Sequence, residues 1–164
     1  MYAQSERPAS SYSLFSRAVQ YALSAGVNNR ALSEGSASLG IGSSSSARGA
    51  FASGVFANAA AEGASSLGGG TDATGVLSAA LGTYTRASGV SSMATNVGSE
   101  ATSDASFAAN LLTKASGIAS SSFGRQTVAS GDYANAFGER SVATGRSSMV
   151  SGENNRANGR ASVA

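Results

Sequence analysis

Catalysis in this chain would have to rest on carboxylates, because histidine and cysteine are both absent. The usual general base, the common nitrogen and sulfur metal ligands and the thiol nucleophile are therefore missing. What remains is Asp72, Asp104 and Asp132 with Glu6, Glu34, Glu62, Glu100, Glu139 and Glu153, spread along the chain. Serine is so abundant that none stands out as a nucleophile. Gly68-Gly69-Gly70 is not followed by the lysine of a phosphate loop. The expectation is no enzyme, with no catalytic, cofactor-binding or metal-ligating residue. The spacing of the charges points elsewhere. Asp72, Arg86, Glu100 and Lys114 fall fourteen residues apart and alternate in sign, and Glu34, Arg48 and Glu62 do the same. Stacked units of fourteen residues would set these opposite charges side by side. Each exposed pair contributes only a few tenths of a kcal/mol, so the charges report register more than stability.

The element that positions them is a repeat. From Ser24 to Ala164 every seventh residue is alanine or serine, with Val150 the one exception, and two residues later comes a second series dominated by glycine. Such a phase, kept without insertion, means one structural unit stacked on itself. Odd and even heptads differ, so the unit is fourteen residues, beginning at 22, 36, 50 and onward to 148, with an eleventh cut off at Ala164. Alternation at period two predicts strands, and Gly or Asn after each predicts a turn of positive φ. A helix is disfavoured, since glycine every seven residues would cost roughly 1 kcal/mol each. Ser33, Ala47, Ala61 and Ser103 replace the turn glycine, which predicts strain or another turn type.

The residues shared by both halves (Ser/Thr/Ala first, Ala/Ser third, Gly fifth) are expected inside a thin, flattened tube. The intervening residues then face out. In the second half they are mostly polar. In the first half each coil pairs one bulky apolar residue with a small one, and the bulky set is Leu39, Phe51, Leu67, Leu81, Met93, Phe107, Phe123, Phe137 and Met149. Stacked about 4.8 Å apart, these make an apolar stripe about 45–50 Å long. Monomers rarely expose such a stripe, and an Ala/Ser interior buries little area against the entropy of ordering the backbone. The stripe is expected to be a seam between copies, most simply three about an axis. The pairs Val55-Phe56, Val76-Leu77 and Leu111-Leu112 fall in turns, where they contact either a neighbouring protomer or a receptor.

The pattern Ser-φ-Ala-φ-Gly-x-x-Ser/Thr-x-Ala-x-Gly, where φ is apolar, resembles the head repeat of the YadA-like trimeric autotransporter adhesins. Ser106-Phe107-Ala108, Ser148-Met149-Val150, Ser162-Val163-Ala164 and the Ala-Thr-Gly of 143–145 carry the likeness most clearly. The resemblance implies an all-β, left-handed parallel β-roll solenoid, homotrimeric through the apolar face and serving attachment. The same roll also occurs in phage fibres.

Residues 1–21 break the phase and are expected to form a separate anchoring or capping segment, helical or irregular, ahead of the roll at 22–164. Apolar residues at 14, 15, 18, 19, 22 and 23 suit a helical stripe, and Tyr12, Leu14, Phe15 and Val19 are the candidates for docking onto a particle. The leading expectation is a phage tail or capsid fibre on the virion surface, joined by residues 1–21 to a virion, baseplate or capsid protein and projecting toward a host-surface receptor. It rests on the lack of a basic start with an apolar run in residues 1–8, of a coiled-coil stalk and of membrane-anchoring strands. The break inside a repeat at Ala164 suggests that more fibre follows. The alternative is the head of a bacterial trimeric autotransporter at the cell surface. An ice- or crystal-binding solenoid is a third reading, opposed by Arg, Asp, Glu and Lys among the outward threonines. A net charge of +2 without a basic cluster gives no sign of nucleic-acid binding, and no stretch reaches the roughly 20 apolar residues of a membrane-spanning helix.

Overall fold

The computed structural model describes residues 4–5, 10–12, 14–19 and 21–164. From Leu23 on, each fourteen residues form one coil: a five-residue strand, a turn, a two-residue strand and a second turn, as in Phe107–Leu111 followed by Lys114–Ala115. The long strands stack into an 11-stranded sheet and the short ones into a 12-stranded sheet. All pairings are parallel, and from Leu23 on they join residues fourteen apart, such as Leu67↔Leu81 and Asp72↔Arg86. The fold is an all-β parallel solenoid, and the described residues contain no helix.

Burial follows the period-two pattern. Ser78, Ala80, Thr85 and Ala87 are buried, while Ala79, Leu81, Arg86 and Ser88 between them reach solvent. A file of alanines from Ala50 to Ala115 forms the main core, and among the described residues the largest fully buried side chain is Val150. Side chains this small let the two sheets approach closely, so few van der Waals contacts come from bulk and polar pairing inside the tube matters more. Ser66 and Thr71 meet hydroxyl to hydroxyl at 2.7 Å, and Ser122 and Thr127 do so at 2.8 Å. In two coils the serine is replaced by Ala80 or Ala108, and there the buried hydroxyls of Thr85 and Thr113 have no hydrogen-bond partner. Ala108→Ser would restore the pair. It is expected to raise stability by about 1 kcal/mol, read as a higher Tm than that of the parent chain.

Two expectations about turns need correction. Positive φ does not follow the second glycine series as a whole. At the twelfth position of the repeat Ser33, Ala47, Ala61 and Ser103 have no positive φ, so left-handed strain does not arise there. Gly75 at that position lacks it too; its side chain is missing because a Cβ would lie 2.0 Å from the Gly89 carbonyl oxygen. At the fifth position the Gly and Asn do have positive φ, as at Gly26 (122°), Gly68 (129°) and Asn96 (77°), and positive φ also occurs at the seventh and fourteenth positions, where many residues are large: Phe56 (φ 56°), Leu77 (56°), Tyr84 (54°) and Leu112 (55°). Each lies over a glycine of the preceding coil. A Cβ on Gly42, Gly63, Gly70 or Gly98 would come within 2.8 Å of Phe56, Leu77, Tyr84 or Leu112 respectively.

The N-terminal segment is also different from the helical or irregular one expected. Gln4–Ser5, Ser10–Tyr12 and Arg17–Ala18 are strands that continue both sheets. They pair Gln4↔Arg17, Ser10↔Leu23 and Arg17↔Arg30, a step of thirteen. One residue fewer in the turn shifts the sequence phase without breaking the stack, and the shifted apolar spacing then imitates a helical stripe. Solenoid pairing therefore extends ahead of residue 22.

Candidate functional site: an apolar sheet face

Successive residues of a strand point to opposite faces, so the second, fourth and sixth positions of the repeat leave the long-strand sheet on one side. All nine residues expected at the interface stand on this sheet, one on each of nine consecutive long strands from Leu39 in Ala37–Ile41 to Met149 in Met149–Glu153. Met93 and Met149 are 37% and 45% exposed, and the other seven are half-buried. Leu67 lies directly beside Leu81, and Phe123 beside Phe137. The Phe123 and Phe137 rings stack with centroids 5.4 Å apart, and Phe107 meets Phe123 edge-on at 4.8 Å. Ala109, in register with Phe123, is buried among them. The rings are thus held in place within a single chain, which lowers the side-chain entropy lost when a partner covers them.

A third column was missed in the sequence. Val27, Ile41, Val55, Val97 and Leu111 end their long strands at the sixth position, and each is 40–48% exposed. Glycine or asparagine just before them suggested that the strand had already ended. The alternation simply runs one step further, and that was the available signal. Beside this column the turn residues Phe56, Tyr84 and Leu112 are 68%, 74% and 52% exposed.

The short-strand sheet is polar. Arg86 pairs with Asp72 at 3.6 Å and Lys114 with Glu100 at 3.3 Å, and Asn58 Nδ2 donates to Asp72 Oδ1 at 2.7 Å. The register read from these charges is the register formed. Glu34, Arg48 and Glu62 are exposed at their turn, and no ion pair joins them among the described residues. A pairing not foreseen is Arg125 with Glu139 at 3.1 Å. Among the described residues no cluster of acidic side chains is suited to hold a metal ion.

Of the four docking candidates, Leu14 and Phe15 are 49% and 58% exposed. The Asn28 N–H bonds to the Leu14 carbonyl as the Gly42 N–H bonds to that of Val27, so Leu14 and Phe15 head the columns of Val27 and Asn28. Val19 is half-buried against the core of Ala18, Ala22 and Ala31, which leaves it little surface for docking. The side chain of Tyr12 lies outside the described residues.

A family model, the YadA head domain repeat, matches residues 73–95, 115–141, 124–148 and 143–164. Over these segments the chain is similar to the YadA head repeat. Leu81 and Met93 fall in the first matched segment, and Phe123, Phe137 and Met149 in the others. The matched segments thus take in Phe123 and Phe137 of the aromatic ladder, while Phe51 and Phe107 lie outside them. No curated protein matches the chain.

Proposed function

We propose that this chain is the shaft of a homotrimeric attachment fibre displayed on an outer surface. The observation that carries the reading is the apolar face, unbroken over nine coils and half-exposed on a tube whose interior is alanine and serine. A stripe of that length is stable in water only when covered, and three copies about an axis cover it in a closed, elongated form. The head repeat supports an adhesin-type role, in which the fibre holds a contact surface away from its carrier. We take the carrier to be a phage particle, docked through residues 1–21, where Leu14 and Phe15 are exposed at the start of the columns. A bacterial cell surface is the second reading, favoured by the repeat being that of an adhesin head.

Sedimentation equilibrium tests the assembly. The expected mass is three times 16.0 kDa, and a stable species of 16.0 kDa would sink the reading. Gold-labelled antibody against the chain then separates the carriers, decorating purified phage particles in one case and cell envelopes in the other.

A further inference from the structure

Apart from the apolar sheet face, one edge of the roll exposes large residues at a spacing of its own. Along the first-turn edge the seventh residues read Gly42, Phe56, Gly70, Tyr84, Gly98 and Leu112, a glycine and a large residue in alternation. The alternation is bounded by Asn28 before Gly42 and by Gln126 after Leu112. Phe56 and Tyr84 therefore stand two coils apart, about 9.6 Å at the strand spacing. Gly69-Gly70 leaves the space between them without a side chain. Both rings take the same pose over the preceding coil. A Cβ on Gly42 would lie 2.7 Å from Phe56 Cδ1, and one on Gly70 would lie 2.8 Å from Tyr84 Cδ1. The two residues are nonetheless 68% and 74% exposed. The opposite edge does not repeat this spacing. There Tyr21, Leu77 and Tyr133 are four coils apart, and the Arg146 guanidinium lies over the Tyr133 ring at 5.8 Å.

The single chain gains little from the placement of Phe56 and Tyr84. Left-handed backbone is unfavourable for both, whereas Gly42 and Gly70 adopt it freely in the same turn. Strain of this kind, kept without burial, marks a contact surface. The surroundings define what the rings would meet. Residues 41–42, 55–56, 69–70, 83–84, 97–98 and 111–112 include no charge. On the short strands beside them Arg86 is paired with Asp72 at 3.6 Å and Lys114 with Glu100 at 3.3 Å. A partner without charge complements such an edge. The turn N–H groups are engaged as well: those of Phe56, Gly70 and Tyr84 donate to the Ile41, Val55 and Gly69 carbonyls at 2.8–2.9 Å. A peptide strand added along this edge would find these donors already paired.

A sugar chain needs no backbone donors. Its pyranose rings have an apolar C–H face that stacks on an aromatic ring, and hydroxyls around the rim that bond to planar polar side chains. Asn58, Asp72 and Arg86 stand two residues beyond Phe56, Gly70 and Tyr84 and form a row of such side chains. Asn58 Nδ2 donates to Asp72 Oδ1 at 2.7 Å, and the Arg86 guanidinium has further N–H groups beyond its pair with Asp72. In an extended β-1,4-linked chain every second sugar turns the same face to a flat wall, and two units span about the distance from Phe56 to Tyr84. The sugar between them passes over Gly70, and Leu112 continues the spacing with an aliphatic contact.

We propose that the first-turn edge from Gly42 to Leu112 binds a neutral, extended β-1,4-linked polysaccharide, with sugars stacked on Phe56 and Tyr84. The proposal rests on the attachment role given above and names the surface and the ligand class for it.

Cellohexaose and N-acetylchitohexaose are the probes, titrated calorimetrically into the parent chain. Maltohexaose, whose α-linkages coil the chain, is the control. One of the two β-linked probes is expected to bind about tenfold more tightly than maltohexaose. Phe56→Gly/Tyr84→Gly copies the neighbouring turns at Gly42 and Gly70, so it should fold and keep the parent's sedimenting mass. It should weaken binding of that probe by about tenfold or more, while Phe56→Tyr should stay within about twofold of the parent. No heat from either β-linked probe, equal affinity for maltohexaose, or undiminished binding by the double variant overturns the proposal. A double variant that drops to monomer mass overturns it too, because the edge would then be covered by a neighbouring copy. A parent mass of 16.0 kDa removes the trimeric fibre, and the titration still decides the edge.

Discussion

Phe123→Asp is expected to convert the assembly to folded monomer, with the sedimenting mass falling from three times 16.0 kDa to 16.0 kDa. Phe123 is the centre of the aromatic ladder, in contact with Phe107 at 4.8 Å and Phe137 at 5.4 Å. Each such ring pair contributes about 0.5–1.5 kcal/mol beyond the area it buries. The larger effect is electrostatic. Three-fold symmetry would bring three carboxylates onto one apolar axis, and each ion removed from water without a partner costs several kcal/mol. The solenoid itself should persist, because Phe123 points away from the interior and remains half-exposed in the single chain. A coil-rich β spectrum retained at monomer mass is therefore the expected combination. Arg86→Ser is the control. Its ion pair to Asp72 spans 3.6 Å between side chains 58% and 31% exposed, a kind of contact contributing little in water. It should leave the mass unchanged, and equal losses from both variants would mean that the faces have been assigned the wrong way round.

Gly68→Ala should destabilise the roll by about 4 kcal/mol or more, in the range reserved for breaks in the fold itself. Gly68 has φ 129°, and a Cβ there would sit 1.7 Å from the Gly82 carbonyl oxygen and 2.7 Å from its carbonyl carbon. Both obstacles are backbone atoms of the next coil. They yield only if the pairing of Ser65–Gly69 with Ala79–Thr83 opens, and each coil depends on its neighbours. Gly49→Ala separates this effect from dihedral preference alone. Its φ is 64° and nothing lies within 4 Å of the added carbon, so the left-handed penalty of about 1–2 kcal/mol is the whole cost. Denaturant unfolding of the two variants side by side is the measurement. Similar losses would show that coil-to-coil approach is not what excludes a side chain at Gly68.

Much of this was readable from residue order because a solenoid makes neighbours in space from neighbours in phase. Ala80 beside Ala94 and Asp72 beside Arg86 follow from a step of fourteen, with no loop of variable length between. The inward alanines, the outward phenylalanines and the stacking of opposite charges all follow from that step and from alternation at period two. What the period could not supply is conformation within a turn. Phe56 and Tyr84 adopt left-handed backbone although neither residue favours it; a ring laid over Gly42 or Gly70 of the preceding coil is a contact that exists only once coils stack. The thirteen-residue step before Leu23 was hidden for a related reason: hydrogen bonds between coils tolerate one residue fewer in a turn, whereas a sequence phase does not. The sixth-position column and the hydroxyls of Thr85 and Thr113 belong with these. Their exposure or lack of a partner is set by where the strand ends and by which side chain stands across the tube. The sequence alone determined the unit, its faces and its register; the stacked structure decided how each turn is made, where the first coils lie and how wide the apolar face is.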